Sequence, residues 1–171
     1  MSLANPRNAH ELLNYRLSRL LASSGAMVVR LCEGRYGITR REWRLIALLA
    51  QEGSMSPSHL AQSANLERAR VSALLTDLTA KQLIRRQPVP GDARRAQVSL
   101  SDEGKALYDE LLPLSVHFQQ EVLAALTQAE RDVFDIALGK LTDAAERIAA
   151  SKPVAEKADR QHGGGRRLRA R

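Results

Sequence analysis

A short stretch in the first half of the chain carries side chains suited to reading a polyanion. Val71, Leu74, Leu75 and Leu78 recur at i, i+3, i+4 and i+7, the spacing of one buried helical stripe. Arg68, Arg70, Ser72, Ala73 and Thr76 then fall on the other faces. Arginine can chelate a guanine edge, serine and threonine can bond a phosphate or a base, and an alanine or threonine methyl can meet thymine. Further on, Arg94 and Arg95 place two long cations beside Pro88, Pro90, Gly91 and Asp92, a turn that needs no such charge for its own fold. The residue types that serve catalysis lack the required spacing. His10, His59, His117 and His162 show no metal-ligand spacing, and there is no Gly-rich phosphate loop, nucleophile elbow or paired catalytic carboxylate. The single cysteine, Cys32, excludes an intramolecular disulfide and a thiolate-rich zinc site. The chemistry on offer is recognition, with no enzymatic activity and no cofactor expected.

Total charge is a poor guide to that recognition. The chain has 171 residues, a net charge of +7 and a pI near 10.2. Seven Lys/Arg and two Asp/Glu between Lys152 and Arg171 hold +5 of this, leaving +2 for everything before them. Placement therefore matters more than sum. A hydrophobic fraction of 44% supports a core, and only 4% aromatics with abundant Ala, Leu and Arg favours helices. No apolar run approaches a membrane span and no secretory signal layout opens the chain, so a soluble, cytoplasmic protein is expected.

The elements that position these residues read as follows. Leu12, Leu13, Leu17, Leu20, Leu21, Met27, Val28 and Leu31 recur at three- and four-residue steps, predicting one long helix from about His10 to Cys32. Thr39 with Glu42 forms a capping box, and Ile38 with Trp43 a hydrophobic staple, opening a helix that ends at Gly53. Ser56-Pro57 starts a short helix, and Asn65 is the expected cap of the helix bearing the Arg68–Thr76 face. Leu83–Gln87 and Ala96–Leu100 read as strands of a hairpin. Arg85 and Arg86 point to opposite faces, so at most one faces a polyanion; the other reading is a charged strand edge. Ser101 caps a helix that continues to Leu126 and should kink at Pro113. Thr127 and Glu130 form a second capping box, ahead of a helix expected to turn Val133, Phe134, Ala137, Leu138 and Leu141 inward. Two short helices about three residues apart, then a basic hairpin, make a winged helix-turn-helix candidate.

The order of elements, with Leu83-Ile84-Arg85, Asp92-Ala93-Arg94 and Val98-Ser99-Leu100-Ser101-Asp102-Glu103-Gly104, resembles the MarR family of winged helix-turn-helix regulators up to about residue 150. The resemblance implies a mainly α fold with a small β-hairpin wing, and long N- and C-terminal dimerisation helices. It divides the chain into dimerisation helix (1–37), DNA-binding lobe (38–101), dimerisation helices (102–150) and a basic tail (151–171). It further implies that Arg94 reaches the minor groove or its phosphates and that Asp92 braces the wing. A homodimer would read a palindromic site in double-stranded DNA, most commonly as a repressor. Packing gives the same expectation, because the long apolar helices from both chain ends exceed what the central lobe can cover. Two positions depart from the pattern: Gln82 stands where glycine is usual, and Ala73 where a longer polar side chain is common.

Members of this family commonly bind small aromatic or phenolic acids. By residue type Tyr15, Tyr36, Arg40, Trp43, Arg44 and His117 are the candidates to line such a pocket, with Arg40, Arg41 and Arg44 able to meet a carboxylate or the phosphates of a thioester. The plainer reading makes Trp43 a core staple and the arginines surface charge. Cys32 is expected to be a buried, inert thiol rather than a redox sensor. Two other classes share these features: a winged-helix protein-interaction module and an RNA-binding module.

Overall fold

A computed structural model describes residues 3–89 and 92–154; for 89 and 92–95 only the backbone is described. A 3₁₀ turn (Ala9–Glu11) leads into α1 (Leu13–Ser24) and α2 (Ala26–Arg30), followed by a π-helical turn (Leu31–Arg35). Then come α3 (Arg40–Glu52), α4 (Pro57–Ser63), α5 (Arg68–Ala80), β1 (Ile84–Val89), β2 (Asp92–Leu100), α6 (Asp102–Leu123) and α7 (Gln128–Ser151). Two compact units result, Met1–Ala124 and Ala125–Arg171, and α7 is the described helix of the second. Among the described residues no helix is long and apolar enough to cross a membrane.

The core of the first unit gathers the stripes that periodicity predicts. Leu45, Ile46 and Leu49 of α3, Leu60 of α4, and Val71, Leu75 and Leu78 of α5 are buried, as are Val98 of β2 and Leu111 of α6. Thr39 and Glu42 make the capping box in both directions, and Ile38 before them is buried. Ser56 caps α4 by accepting from His59 N–H at 3.2 Å. The hairpin pairs Ile84 with Leu100 and Arg86 with Val98, antiparallel, with a register shift between Pro88 and Val89.

Several expectations are corrected. The N-terminal helix is not continuous: it breaks at Gly25, against which the Arg40 side chain packs. A Cβ there would stand 2.7 Å from the guanidinium and 2.9 Å from the Leu21 carbonyl oxygen, so only glycine leaves the room. Asn65 does not cap α5. It takes the left-handed conformation (φ 51°) that ends α4, and Glu67 in extended geometry is the N-cap instead. Asparagine serves both purposes, which is why its type alone misleads. Helix α6 runs through Pro113 but stops at Leu123, short of Leu126. A third, one-residue strand was not predicted: Met55 exchanges backbone hydrogen bonds with Val98, at 2.9 and 2.8 Å. On α7 the side chains expected inward, Val133 and Phe134 among them, are exposed on the single chain, and no α7 residue is buried. Its capping box is formed, and the Thr127 backbone N–H and hydroxyl hold the Glu130 carboxyl below the usual carboxylate range.

The joint between α5, the hairpin and α6 is tightly made. Gln82 occupies φ 60° just after α5; its N–H bonds the Thr79 carbonyl, and the Leu83 N–H bonds that of Leu78. This is the Schellman arrangement, completed without glycine. Ser101 links the end of α5 to the start of α6: its hydroxyl donates to the Gln82 carbonyl (2.6 Å) and caps α6 by accepting from Gly104 N–H (2.9 Å). Gly104 packs directly on Leu83, whose carbonyl oxygen any Cβ would overlap. Opposite effects are expected at these two positions. Gln82→Gly relieves a left-handed side chain and should raise stability by about 1 kcal/mol. Gly104→Ala should lower it by ~1–3 kcal/mol or more through overpacking against backbone. Urea denaturation of both variants checks the signs; a stabilised Gly104→Ala would contradict the packing.

Candidate nucleic-acid interface

The apolar stripe of α5 leaves one face outward. Arg68, Arg70, Ser72, Ala73 and Thr76 are all exposed, while Val71, Leu75 and Leu78 are fully buried beneath them. The Thr76 hydroxyl donates to the Ser72 carbonyl at 3.1 Å, which leaves its methyl and an acceptor oxygen available outward. These five positions are the ones that periodicity singled out, and the structure brings them to a single exposed surface.

Helix α3 grips the helix pair at two places, the C-terminal end of α5 and the C-terminal end of α4. At the first, Glu42 is 1% exposed, and its carboxylate receives the Lys81 ammonium at 2.7 and 2.9 Å, one distance per oxygen. The Thr39 N–H donates to the same carboxylate at 2.6 Å. Lys81 is the residue that closes α5. Arg44 donates from Nη1 to the carbonyl of Ala64, the C-cap of α4, at 3.2 Å. Sequence reading recognised Glu42 as a capping residue and missed Lys81, which lies 39 residues away with no local pattern to join them.

On the hairpin, Arg85 pairs with Asp102 in the first turn of α6, Nη2–Oδ2 2.6 Å. That ion pair ties β1 to α6, while Arg86 points to the opposite face and is exposed. The side chains of Asp92, Arg94 and Arg95 lie outside the described residues; their backbone belongs to β2.

A cleft of about 470 Å³ opens between α1, α2, α3 and α6. Three of the six expected pocket residues, Arg40, Trp43 and Arg44, line it along one face of α3, and Phe118 and Val122 of α6 face them. Trp43 is half-buried against the core and stacks on Tyr108 with ring centroids 5.6 Å apart, while also lining the cleft. The other three do not line the cleft. Tyr15 sits edge-on to His10, Tyr36 lies under the Arg35 guanidinium, and His117 is exposed beside Phe118. Residue type suggested them, but helical phase turns each elsewhere.

Cys32 is fully buried in the π-helical turn, and burial, reinforced by Glu33, pushes its thiol pKa up. A raised thiol pKa means less thiolate at neutral pH than an ordinary cysteine has. Alkylation by iodoacetamide near neutral pH should therefore be at least about tenfold slower in the native protein than in the unfolded chain; equal rates would contradict an inert thiol. For the clamp on α5, Lys81→Ala leaves the Glu42 carboxylate buried without its cation. Thermal unfolding should then show a loss of about 1–3 kcal/mol, whereas a change within ±0.5 kcal/mol, the range of ordinary surface substitutions, would show that the pair contributes little.

A family model described as the MarR family matches residues 36–95. The chain is 26% identical over 110 residues to the HTH-type transcriptional regulator PecS of Dickeya dadantii, covering 63% of this chain and 66% of that one. To FarR of Neisseria gonorrhoeae it is 36% identical over 74 residues, covering 43% and 51%. The aligned parts thus span between about half and two thirds of these relatives' own lengths. Among solved structures, Bordetella bronchiseptica BpsR, whose DNA binding is described as regulated by 6-hydroxynicotinic acid, is similar with a TM-score of 0.71 at 23% identity. That match covers 81% of this chain and 99% of BpsR, and it speaks for the fold. The segment matched by the family model runs from the approach to α3 to the start of β2, taking in α3, α4, α5 and the first strand of the hairpin. Residues 36–95 thus carry a MarR-family segment, and the chain has a fold similar to that of BpsR.

Proposed function

We propose that the chain is a cytoplasmic transcriptional repressor that binds a palindromic site in double-stranded DNA as a homodimer. A small aromatic or phenolic acid, or its thioester, releases it. The observation that carries this reading is the exposed Arg68–Thr76 face of α5, held over a fully buried stripe and fixed to α3 through Lys81 at its C-terminal end. A helix so held can be laid in a major groove as a rigid element, with its N-terminal residues toward the bases. In this reading Arg68 and Arg70 contact guanine or phosphate, and Ser72, Ala73 and Thr76 complete the readout. Arg94 and Arg95 engage the flanking minor groove or its phosphates, and Asp92 braces the hairpin. The activity is binding, not catalysis.

Dimerisation is supported by the apolar surface that each unit leaves open. Leu12, Leu20, Leu21 and Met27 are between 44% and 52% exposed in the first unit. In the second, Val133, Ile136 and Ile148 are each at least 59% exposed. Contiguous apolar surface of this kind marks association sites. Residues 1–37 and 102–150 would supply the dimer helices and 38–101 the reading lobe. The basic 151–171 tail would add salt-sensitive, sequence-independent attraction. For the effector, the cleft supplies apolar and aromatic walls in Trp43 and Phe118 and a cation in Arg40. The relation of BpsR to 6-hydroxynicotinic acid favours an acid of similar size.

Selection from random duplex DNA at near-physiological salt tests the reading. An inverted repeat should be enriched, with half-sites about one helical turn apart. Arg70→Ala should then cost about 1–3 kcal/mol of specific affinity, and Arg94→Ala should weaken binding without changing the melting temperature. Enrichment of nothing, or of single strands, would overturn the proposal in favour of a protein- or RNA-binding module.

A further inference from the structure

A second cavity, of about 530 Å³, lies in the first unit where the end of α3 meets the start of α6 and the base of β2. Its volume is within the range of small-molecule sites. Leu49 and Leu100, both buried, give it an apolar floor, and the Tyr108 ring borders it. Tyr108 also stacks on Trp43, so this aromatic pair is shared between the walls of the cleft and of the second cavity. Gly53, which ends α3 at φ 79°, leaves bare backbone on the wall, with no atom within 4 Å of where a Cβ would stand. The last carbonyls of α3 gather at that end, the negative end of the helix dipole.

Two opposite charges border the same floor. Lys105 and Asp109 stand one turn apart on α6, and both are exposed. Neither side chain forms an ion pair or hydrogen bond with another described residue. Lysine ahead of an acidic residue is the weaker order of an i, i+4 pair, so the two do not neutralise each other. A cation and an anion are thus both available, on Cβ atoms about 5–6 Å apart.

We infer that the second cavity binds a free α-amino acid with an aliphatic side chain. The ligand carboxylate pairs with Lys105. Its ammonium pairs with Asp109, in the field of the α3 carbonyls. Its side chain leaves water for the floor of Leu49 and Leu100. One exposed ion pair contributes little, so the site depends on two such pairs forming together over apolar surface. A ligand with a single charge leaves Lys105 or Asp109 unanswered beside its own apolar carbon. The inference is independent of DNA binding and of the acid proposed for the cleft.

Amide chemical shifts of the full chain, titrated with L-leucine, test this. Gly53 and Leu100 should shift and saturate with a Kd of about 1 mM or tighter, while Gly25, in the wall of the first cleft, should stay in place. Two analogues, 4-methylpentanoate without the ammonium and 3-methylbutylamine without the carboxylate, should each bind at least about threefold more weakly. Lys105→Met should bind leucine and 3-methylbutylamine alike, and Asp109→Asn should bind leucine and 4-methylpentanoate alike. Both residues are exposed, so the variants keep the wild-type fold. Leucine that shifts neither Gly53 nor Leu100 by about 10 mM, or that shifts Gly25 alone, overturns the inference. So do single-charge analogues that bind as tightly as leucine, or variants that keep the wild-type preference. Failure of the wild-type protein to select duplex DNA would overturn the function reading and leave this titration standing.

Discussion

The buried carboxylate of Glu42 is the constraint around which the reading lobe is arranged. Removing an ionised group from water costs several kcal/mol, and the site offsets this with an ammonium on both oxygens and a backbone N–H. Such a group tolerates few geometries. It must sit at the third position of α3 for the capping box and beneath the end of α5 for Lys81. Those two demands fix how far α5 extends before it must turn, and the left-handed Gln82 makes that turn at once. The hairpin and α6 follow from there, since Ser101 reaches back to the Gln82 carbonyl. A strained backbone position and a buried ion pair thus stand next to each other in sequence at Lys81 and Gln82. Together they end the helix at one residue and no other.

Local signals were legible because their chemistry is local. Both capping boxes, the Ser56 and Ser101 caps and the stripe of α5 can each be read within a few residues, and each is present. Features that depend on distant partners were not. Lys81 resembles any surface lysine until α3 is brought to it. The break at Gly25 interrupts an apolar repeat that continues on either side, and the Arg40 side chain that packs against it belongs to another helix. Met55 forms a one-residue strand, too short to show alternation. Periodicity correctly found an apolar face on α7 but says only that a face is apolar, not what covers it. In the cleft, Arg40, Trp43 and Arg44 shared a helical phase, whereas Tyr15, Tyr36 and His117 shared only their chemical type.

Helix α3 therefore carries two kinds of work on two faces. Its buried stripe of Leu45, Ile46 and Leu49 anchors the lobe. Its flank, running from Arg40 through Trp43 and Arg44 to Ala47, borders a cleft shared with α6. The two faces meet at the first turns, where Glu42 and Arg44 are separated by a single residue and reach the C-terminal ends of α5 and α4 respectively. Trp43, between them, stacks on Tyr108 of α6 and joins the same region to the long helix.

The pairing of Met55 with Val98 gives the hairpin a mechanical character of its own. At and below Val98 the strands are held by the Met55 bridge and the Arg85–Asp102 pair, and one residue further out the Ser54–Gln97 side-chain contact is exposed. Beyond it, the ladder continues through Gln87, Pro88 and Val89 as a two-stranded ribbon. Three residues of extended chain project about 10 Å, so the ribbon is a cantilever with its fulcrum at Val98. A rotation of about 10° at that fulcrum carries the end of the lever through roughly 2 Å, while the bridge itself has scarcely moved.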